Sequence, residues 1–249
     1  MTPTLAFALA LLGTAAADAD ASPTQVNYAA VEALPADAKV EGRGYPELAE
    51  AWWRWAFQKP DGMRPSQDPT GAQCHHGQTG DVWFLAGTLG TGPVERRCRV
   101  PQGRRLFLPV IVALEYSVPG RRRDCAALRA AAEAVAERMV VNRVELDGEP
   151  LVPVRSAPRD CFDAFADAQY DELRPGIYAP AYTDGLWLLL PPLAPGRHRL
   201  VVDARQATDV PVRSRFDQQF TYVLEVGDAP VQEDRDELPR DEEREVIAL

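Results

Sequence analysis

Residues 71–103, GAQCHHGQTGDVWFLAGTLGTGPVERRCRVPQG, hold two of the four cysteines, two of the three histidines and two glycine clusters. Three chemistries compete for such a run: a metal site, a phosphate-cradling loop and a disulfide-tied turn. A phosphate loop needs a helix to begin directly after its glycines, so that the helix N-terminus meets the anion. Pro93 and the alternating Val94, Arg96, Cys98, Val100 follow instead, which is strand periodicity. Zinc needs three or four ligands on one point, and the available set is His75, His76 and His198 with Asp68 or Asp81. Adjacent residues in a strand face opposite ways, so His75 and His76 could both ligate only from an irregular loop. Their spacing is that of no recognised motif, so the sequence assigns no metal site and His75 with His76 stand as the alternative. No C-x-x-C spacing supports a thiolate site.

Other catalytic constellations are thinner. No serine lies in a G-x-S-x-G elbow, and cysteines that are all bridged offer no nucleophile. Asp68, Asp81, Glu115 and Asp184 are the carboxylates that could meet for glycoside chemistry, but sequence alone places no two of them at the required separation. No motif asks for a cofactor, and none is expected. Aromatic residues favour a different class of function. Trp53 falls off the apolar stripe of its helix, and Tyr178 and Tyr182 sit in the loop-like RPGIYAPAYTDG. Exposed aromatics beside Asp and Arg suit stacking on sugars or anchoring in a partner. Trp53, Tyr178 and Tyr182 are therefore the candidate binding residues.

The elements that must position these side chains are mostly short strands. GYPELAEAWWRWAF reads as a helix, with Pro46 in the first turn and Tyr45, Leu48, Trp52 and Trp55 on one side. DCAALRAAAEAVAERMV is a second helix, capped by Asp124. VWFLAGT and VERRCRV read as a hairpin across LGTGP, NRVELDGEPLVPV as one across Asp147-Gly148, and DGLWLLLPPLAPGRHRLVVDA as a third across PPLAPG. RRLFLPVIVALEY is a buried strand, and FDQQFTYVLEV turns Phe220, Tyr222, Leu224 and Val226 inward. The expected fold is mainly β, an antiparallel β-sandwich or jelly roll with two inserted or flanking helices.

The first residues, MTPTLAFALALLGTAAADADA, combine a short apolar run with small residues and read as a signal peptide over 1–19. A single domain is expected over 20–227 and an acidic, disordered tail over 228–249. That tail carries nine acids against three arginines, hence −6 of the net charge of −10, so the domain itself is only mildly acidic. No basic field argues for nucleic acid, and no later segment is apolar enough to span a bilayer. Four cysteines in an exported chain imply two disulfides. Three connectivities are open, and Cys74–Cys98 with Cys125–Cys161 is favoured because each pair brackets a compact local unit.

YPELAEAWWRWAF, DPTGAQCHHGQTGDVWFLAGT, VERRCRVPQGRRLFLPV and the late DGLWLLLPPLAPGRHRL with FTYVLEV together resemble a group of exported bacterial and archaeal proteins. That group shares a Trp-Trp-x-Trp helix, a Cys…Gly-Gln-x-Gly-x-Val-Trp-Phe-Leu-Ala-Gly-Thr block and a Pro-Gly-x-His hairpin. The resemblance runs to about Val226 and implies architecture and export, but no activity and no catalytic residue; His75 and His76 depart from its pattern. The sequence thus points to a periplasmic or extracellular, non-catalytic binding module whose partner is a glycan, an envelope component or a protein. A secreted hydrolase, metal-assisted through His75 and His76, is the alternative.

Overall fold

The structure, a computed structural model, describes residues 30–90, 92–168, 170, 174–207 and 216–228. The expected signal peptide and all but the first residue of the expected tail lie outside the described residues. The chain is mainly β with two helices, in the order α1 (Tyr45–Ala56), β1 (Val82–Phe84), β2 (Val94–Pro101), β3 (Arg105–Tyr116), α2 (Cys125–Ala136), β4 (Met139–Leu146), β5 (Glu149–Pro150), β6 (Val154–Ser156), β7 (Ala181–Leu190), β8 (Gly196–Gln206) and β9 (Asp217–Gly227).

The strands form two mixed sheets, a four-stranded one in the order β1-β3-β7-β6 and a five-stranded one in the order β2-β9-β8-β4-β5. Each sheet carries one parallel pair, β1 with β3 and β2 with β9, among antiparallel neighbours. Leu106, Leu108 and Leu188 of the smaller sheet and Leu200, Phe220 and Tyr222 of the larger one share a single core. The other face of the smaller sheet is covered too. Phe107, Trp187 and Leu189 pack against Leu48, Trp52 and Trp55 of α1, and Ala113 and Tyr182 pack against Leu128 and Ala132 of α2.

This difference in cover explains the two kinds of strand in the sequence. A strand buried on both faces reads as a continuous apolar run, as β3 does from Leu106 to Leu114, apart from Pro109, and β7 from Leu186 to Leu190. A strand buried on one face alternates, as β2, β8 and β9 do. Burying each large apolar side chain of the two helices contributes roughly 1.5–3 kcal/mol, which is what holds α1 against the smaller sheet.

Two of the three expected hairpins are not formed. VWF enters the smaller sheet and VERRCRV the larger one, each beside a parallel partner, and β7 and β8 likewise lie in different sheets. The glycine-rich link from β1 to β2 crosses between sheets, and side chains take up its backbone. Gln218 accepts from the Thr88 amide at 2.7 Å and donates to the Thr88 carbonyl at 2.7 Å. Arg96 donates to the carbonyls of Ala86 and Gly87. The turn at Asp147-Gly148 does join β4 to β5, with φ of 55° and 89° at its two central residues, as a two-residue hairpin turn requires.

Cys74 is bridged to Cys98 and Cys125 to Cys161, and no free cysteine is present among the described residues. The first bridge is buried in the main core and ties residues 71–77 to β2; the second joins the start of α2 to the segment before Phe162. No described helix is long and apolar enough to cross a membrane.

Candidate functional site

At the end of the smaller sheet where β3 finishes and β7 begins, aromatic rings from four segments meet. The last turn of α1 supplies Trp53, the residue after the helix supplies Phe57, the end of β3 supplies Tyr116, and the segments flanking residue 170 supply Phe165 and Tyr178. Trp53 stacks on Phe57 with centroids 5.4 Å apart, and Phe57 stacks on Phe165 at 4.4 Å. Phe165 then meets Tyr178 at 5.4 Å and the edge of Tyr116 at 5.6 Å, and the two tyrosines meet edge to face at 5.9 Å. Each such pair contributes about 0.5–1.5 kcal/mol beyond its buried area, so the ladder is held as a unit. Phe165 is buried, Trp53, Phe57 and Tyr178 are half-buried, and Tyr116 is 38% exposed.

Polar groups fix the frame around these rings. The Asp163 carboxylate accepts from the amides of Phe165 at 3.0 Å and Gly176 at 2.7 Å, which pins the segment of Phe165 to the segment of Tyr178. The guanidinium of Arg64 lies 5.0 Å from the Phe57 centroid and donates to the Tyr170 hydroxyl at 3.1 Å. Arg122 donates to the Ala179 carbonyl at 2.9 Å, just beyond Tyr178. The Cys125–Cys161 bridge anchors the same region to α2.

Of the three aromatic candidates from the sequence, Trp53 and Tyr178 belong to this ladder. Trp53 is an inner rung rather than an exposed plate: it is half-buried and its indole is engaged with Thr183. Tyr182 is elsewhere, buried beneath α2 with the Arg129 guanidinium 4.9 Å from its ring centroid. Burial pushes its phenol pKa up, with Arg129 pulling the other way.

The histidines do not converge. His75 is exposed and His76 half-buried in an irregular turn, their rings 4.6 Å apart. His198 is buried on β8, with Nδ1 2.6 Å from Asp147 and Nε2 2.8 Å from the Ala194 carbonyl. Among the described residues no group of three or more His, Cys, Asp or Glu is placed to hold a metal ion. The four carboxylates are dispersed or engaged. Asp184, 3% exposed, takes two bonds from Arg155 at 3.1 and 2.8 Å, and Glu115 takes Arg123 at 2.5 Å. These two share a face, since Asp184 pairs with Ala113 and Glu115 with Tyr182 in register. Asp68 instead caps its own loop, accepting from Thr70 and Gln73. The backbone carbonyl of Asp81 accepts from the Arg105 amide.

Sequence reasoning missed the most unusual buried group. Arg96, 1% exposed, donates to the carbonyls of Ser66, Asp68, Ala86 and Gly87 and to the Tyr222 hydroxyl, with no carboxylate among these partners. Its signal was present, as the one charge on the inward face of an alternating strand. Phe57, Phe165 and Tyr116 had no comparable signal, since they meet only through the fold.

No family model matches the chain, and no curated protein matches it. A solved structure described as "Solution Structure of Amebosin" is similar at 13% identity over 59% of this chain and 99% of that one, with a TM-score of 0.23. A likeness at that score carries no argument about fold or function.

Proposed function

We propose that the protein is an exported, disulfide-stabilised binding module that takes a glycan of the cell envelope or its surroundings on the outer end of the aromatic ladder, without catalysing a reaction on it. The observation that carries this reading is the Tyr116–Tyr178 pair: two rings set edge to face, one of them 38% exposed, both packed on the buried Phe165. Sugars present C–H faces that stack on such rings while their hydroxyls bond to neighbouring polar groups, and a pre-organised platform lowers the entropic cost of capture. Export fits the two bridges, which persist in oxidising compartments, and it fits the reading of residues 1–19 as a signal peptide.

The test is retention of purified protein on insoluble peptidoglycan and on neutral polysaccharides, with Tyr116→Ala and Tyr178→Ala alongside the parent. Retention on one of these that the tyrosine changes weaken about tenfold, in variants that circular dichroism shows to be folded at the assay temperature, supports the reading. Retention on none of them, or retention indifferent to both changes, overturns it.

A further inference from the structure

The outer face of the five-stranded sheet carries a concentration of arginine that the aromatic ladder does not use. On β2 the residues alternating outward include Arg97 and Arg99, and on β8 they include Arg197 and Arg199, all exposed. β9 runs between them, and the register sets Arg97 and Arg199 on either side of Val223, and Arg99 and Arg197 on either side of Glu225. Val223 faces outward yet is only 4% exposed, in keeping with arginine stems lying across it while their heads stay in water. Arg99 meets Glu225 at 3.3 Å, whereas Arg97, Arg197 and Arg199 have no carboxylate at salt-bridge distance among the described residues. One row further along, the face returns to acid with Glu95 and Glu145, which bounds the patch. Four arginines are thus gathered around Glu225, with the Asp147 carboxylate on the Arg199 amide at one edge, on one side of a chain whose net charge is −10. Glu225 between them and Glu145 beside Arg199 offset only part of their mutual repulsion.

We propose that this arginine face is a second binding surface, and that its occupant is an acidic polysaccharide whose carboxylates are spaced along the polymer. Strand spacing puts the two arginine columns about 9.5 Å apart, and two residues along a strand add about 6.8 Å. Each guanidinium fork matches a carboxylate bidentately. Glu225 between the columns decides the charge density of the partner. A duplex nucleic acid carries a charge about every 1.7 Å and sets phosphates against that glutamate, whereas a polymer with one anion per sugar or per pair of sugars can straddle it. The choice of a glycan rests on the function proposed above, but the surface is a different one and its failure is separable.

The experiment measures binding of the full chain to polygalacturonate by titration calorimetry at about 0.05 M and about 0.2 M salt. The paired controls are the same polymer with its carboxylates methyl-esterified, polyglutamate, and duplex DNA. Binding that is lost on esterification, falls with salt, and drops about tenfold or more in Arg197→Glu/Arg199→Glu supports the proposal. Arg97→Gln/Arg99→Gln on β2 is a second, milder variant that serves if the first does not fold. Loss of binding on esterification separates this surface from the ladder, because stacking on sugar rings does not need the carboxylates. Equal binding of the esterified polymer, tighter binding of polyglutamate or DNA, or indifference to both arginine variants overturns the proposal.

Discussion

The indole Nε1 of Trp53 donates to the hydroxyl of Thr183 at 2.9 Å, and that hydroxyl donates onward to the carbonyl of Ala113 at 2.6 Å. The relay joins the last turn of α1 to β7 and β3 through a fully buried threonine. Trp53 therefore belongs to the joint between helix and sheet, with its ring passing from the Trp52 edge at 4.9 Å to the Phe57 face at 5.4 Å.

Replacing Trp53 separates its two contributions. Trp53→Phe keeps an aromatic rung but removes the donor, and should cost about 1 kcal/mol in urea unfolding. Trp53→Ala also empties the space between two aromatic clusters and should cost about 3 kcal/mol or more. A melting temperature unmoved by Trp53→Ala would mean that the ring packs on nothing.

How much of this was legible in the sequence depends on whether a feature is periodic or convergent. The inward faces of β2, β8 and β9 and the apolar stripe of α1 follow from spacing alone, because each is buried on one side. Partners do not follow from spacing. VWF and VERRCRV are adjacent in sequence and strand-like, yet they enter different sheets because Arg96 and Gln218 satisfy the crossing backbone that a hairpin would otherwise have paired. The ladder was half legible: Trp53 and Tyr178 stood out as aromatics without a helical or strand stripe, whereas Phe165 and Tyr116 gain their roles only from neighbours far along the chain. Tyr182 misled because it follows a loop-like stretch, although it is already the second residue of β7 and turns under α2.

Arg96 should be the most costly single polar residue to remove. Arg96→Met takes the guanidinium donor from the carbonyls of Ser66, Asp68 and Gly87, while the Ala86 carbonyl keeps the Tyr222 hydroxyl and that hydroxyl keeps the Ala86 amide; each carbonyl left orphaned carries a penalty of about 1–3 kcal/mol. Arg96→Lys supplies three donors from one point in place of a planar fork and should rescue only part of the loss. Chemical denaturation of both variants checks the order. If methionine is as stable as arginine, the loop of Ser66 and Asp68 is not held by this residue.

Asp68 makes the protein sensitive to acid. Burial alone pushes its carboxyl pKa up, but the amides of Gln73, Thr70 and Gly71 and the Thr70 hydroxyl together outweigh it, and the net direction is down. A carboxyl lowered in the folded state gives stability that is present above the unfolded pKa and lost as pH falls through the folded one. Asp68→Asn should therefore be less stable than the parent at neutral pH, with the gap closing on the acid side of the ordinary carboxylate range. Parallel pH-dependent melts test this, and a gap that widens toward acid would assign the wrong sign to Asp68.

The two disulfides should open in a fixed order. Cys74 and Cys98 are buried in the main core, whereas Cys125 and Cys161 are both half-buried at the start of α2 and beside the aromatic ladder. Thiol–disulfide exchange needs a thiolate to reach a sulfur, so access decides which bridge reacts first under native conditions. Graded reduction with dithiothreitol, alkylation and peptide mass analysis should label Cys125 and Cys161 while Cys74 and Cys98 stay linked. Removing the half-buried bridge outright, in Cys125→Ser/Cys161→Ser, should cost about 3–4 kcal/mol, from the closure entropy of a loop of this length. It should also free the segment of Phe165 from α2 and weaken any retention that depends on Tyr116 and Tyr178. Labelling of Cys74 and Cys98 first, or a double variant as stable as the parent, would show that burial does not set the order and that the second bridge does not hold the ladder's frame.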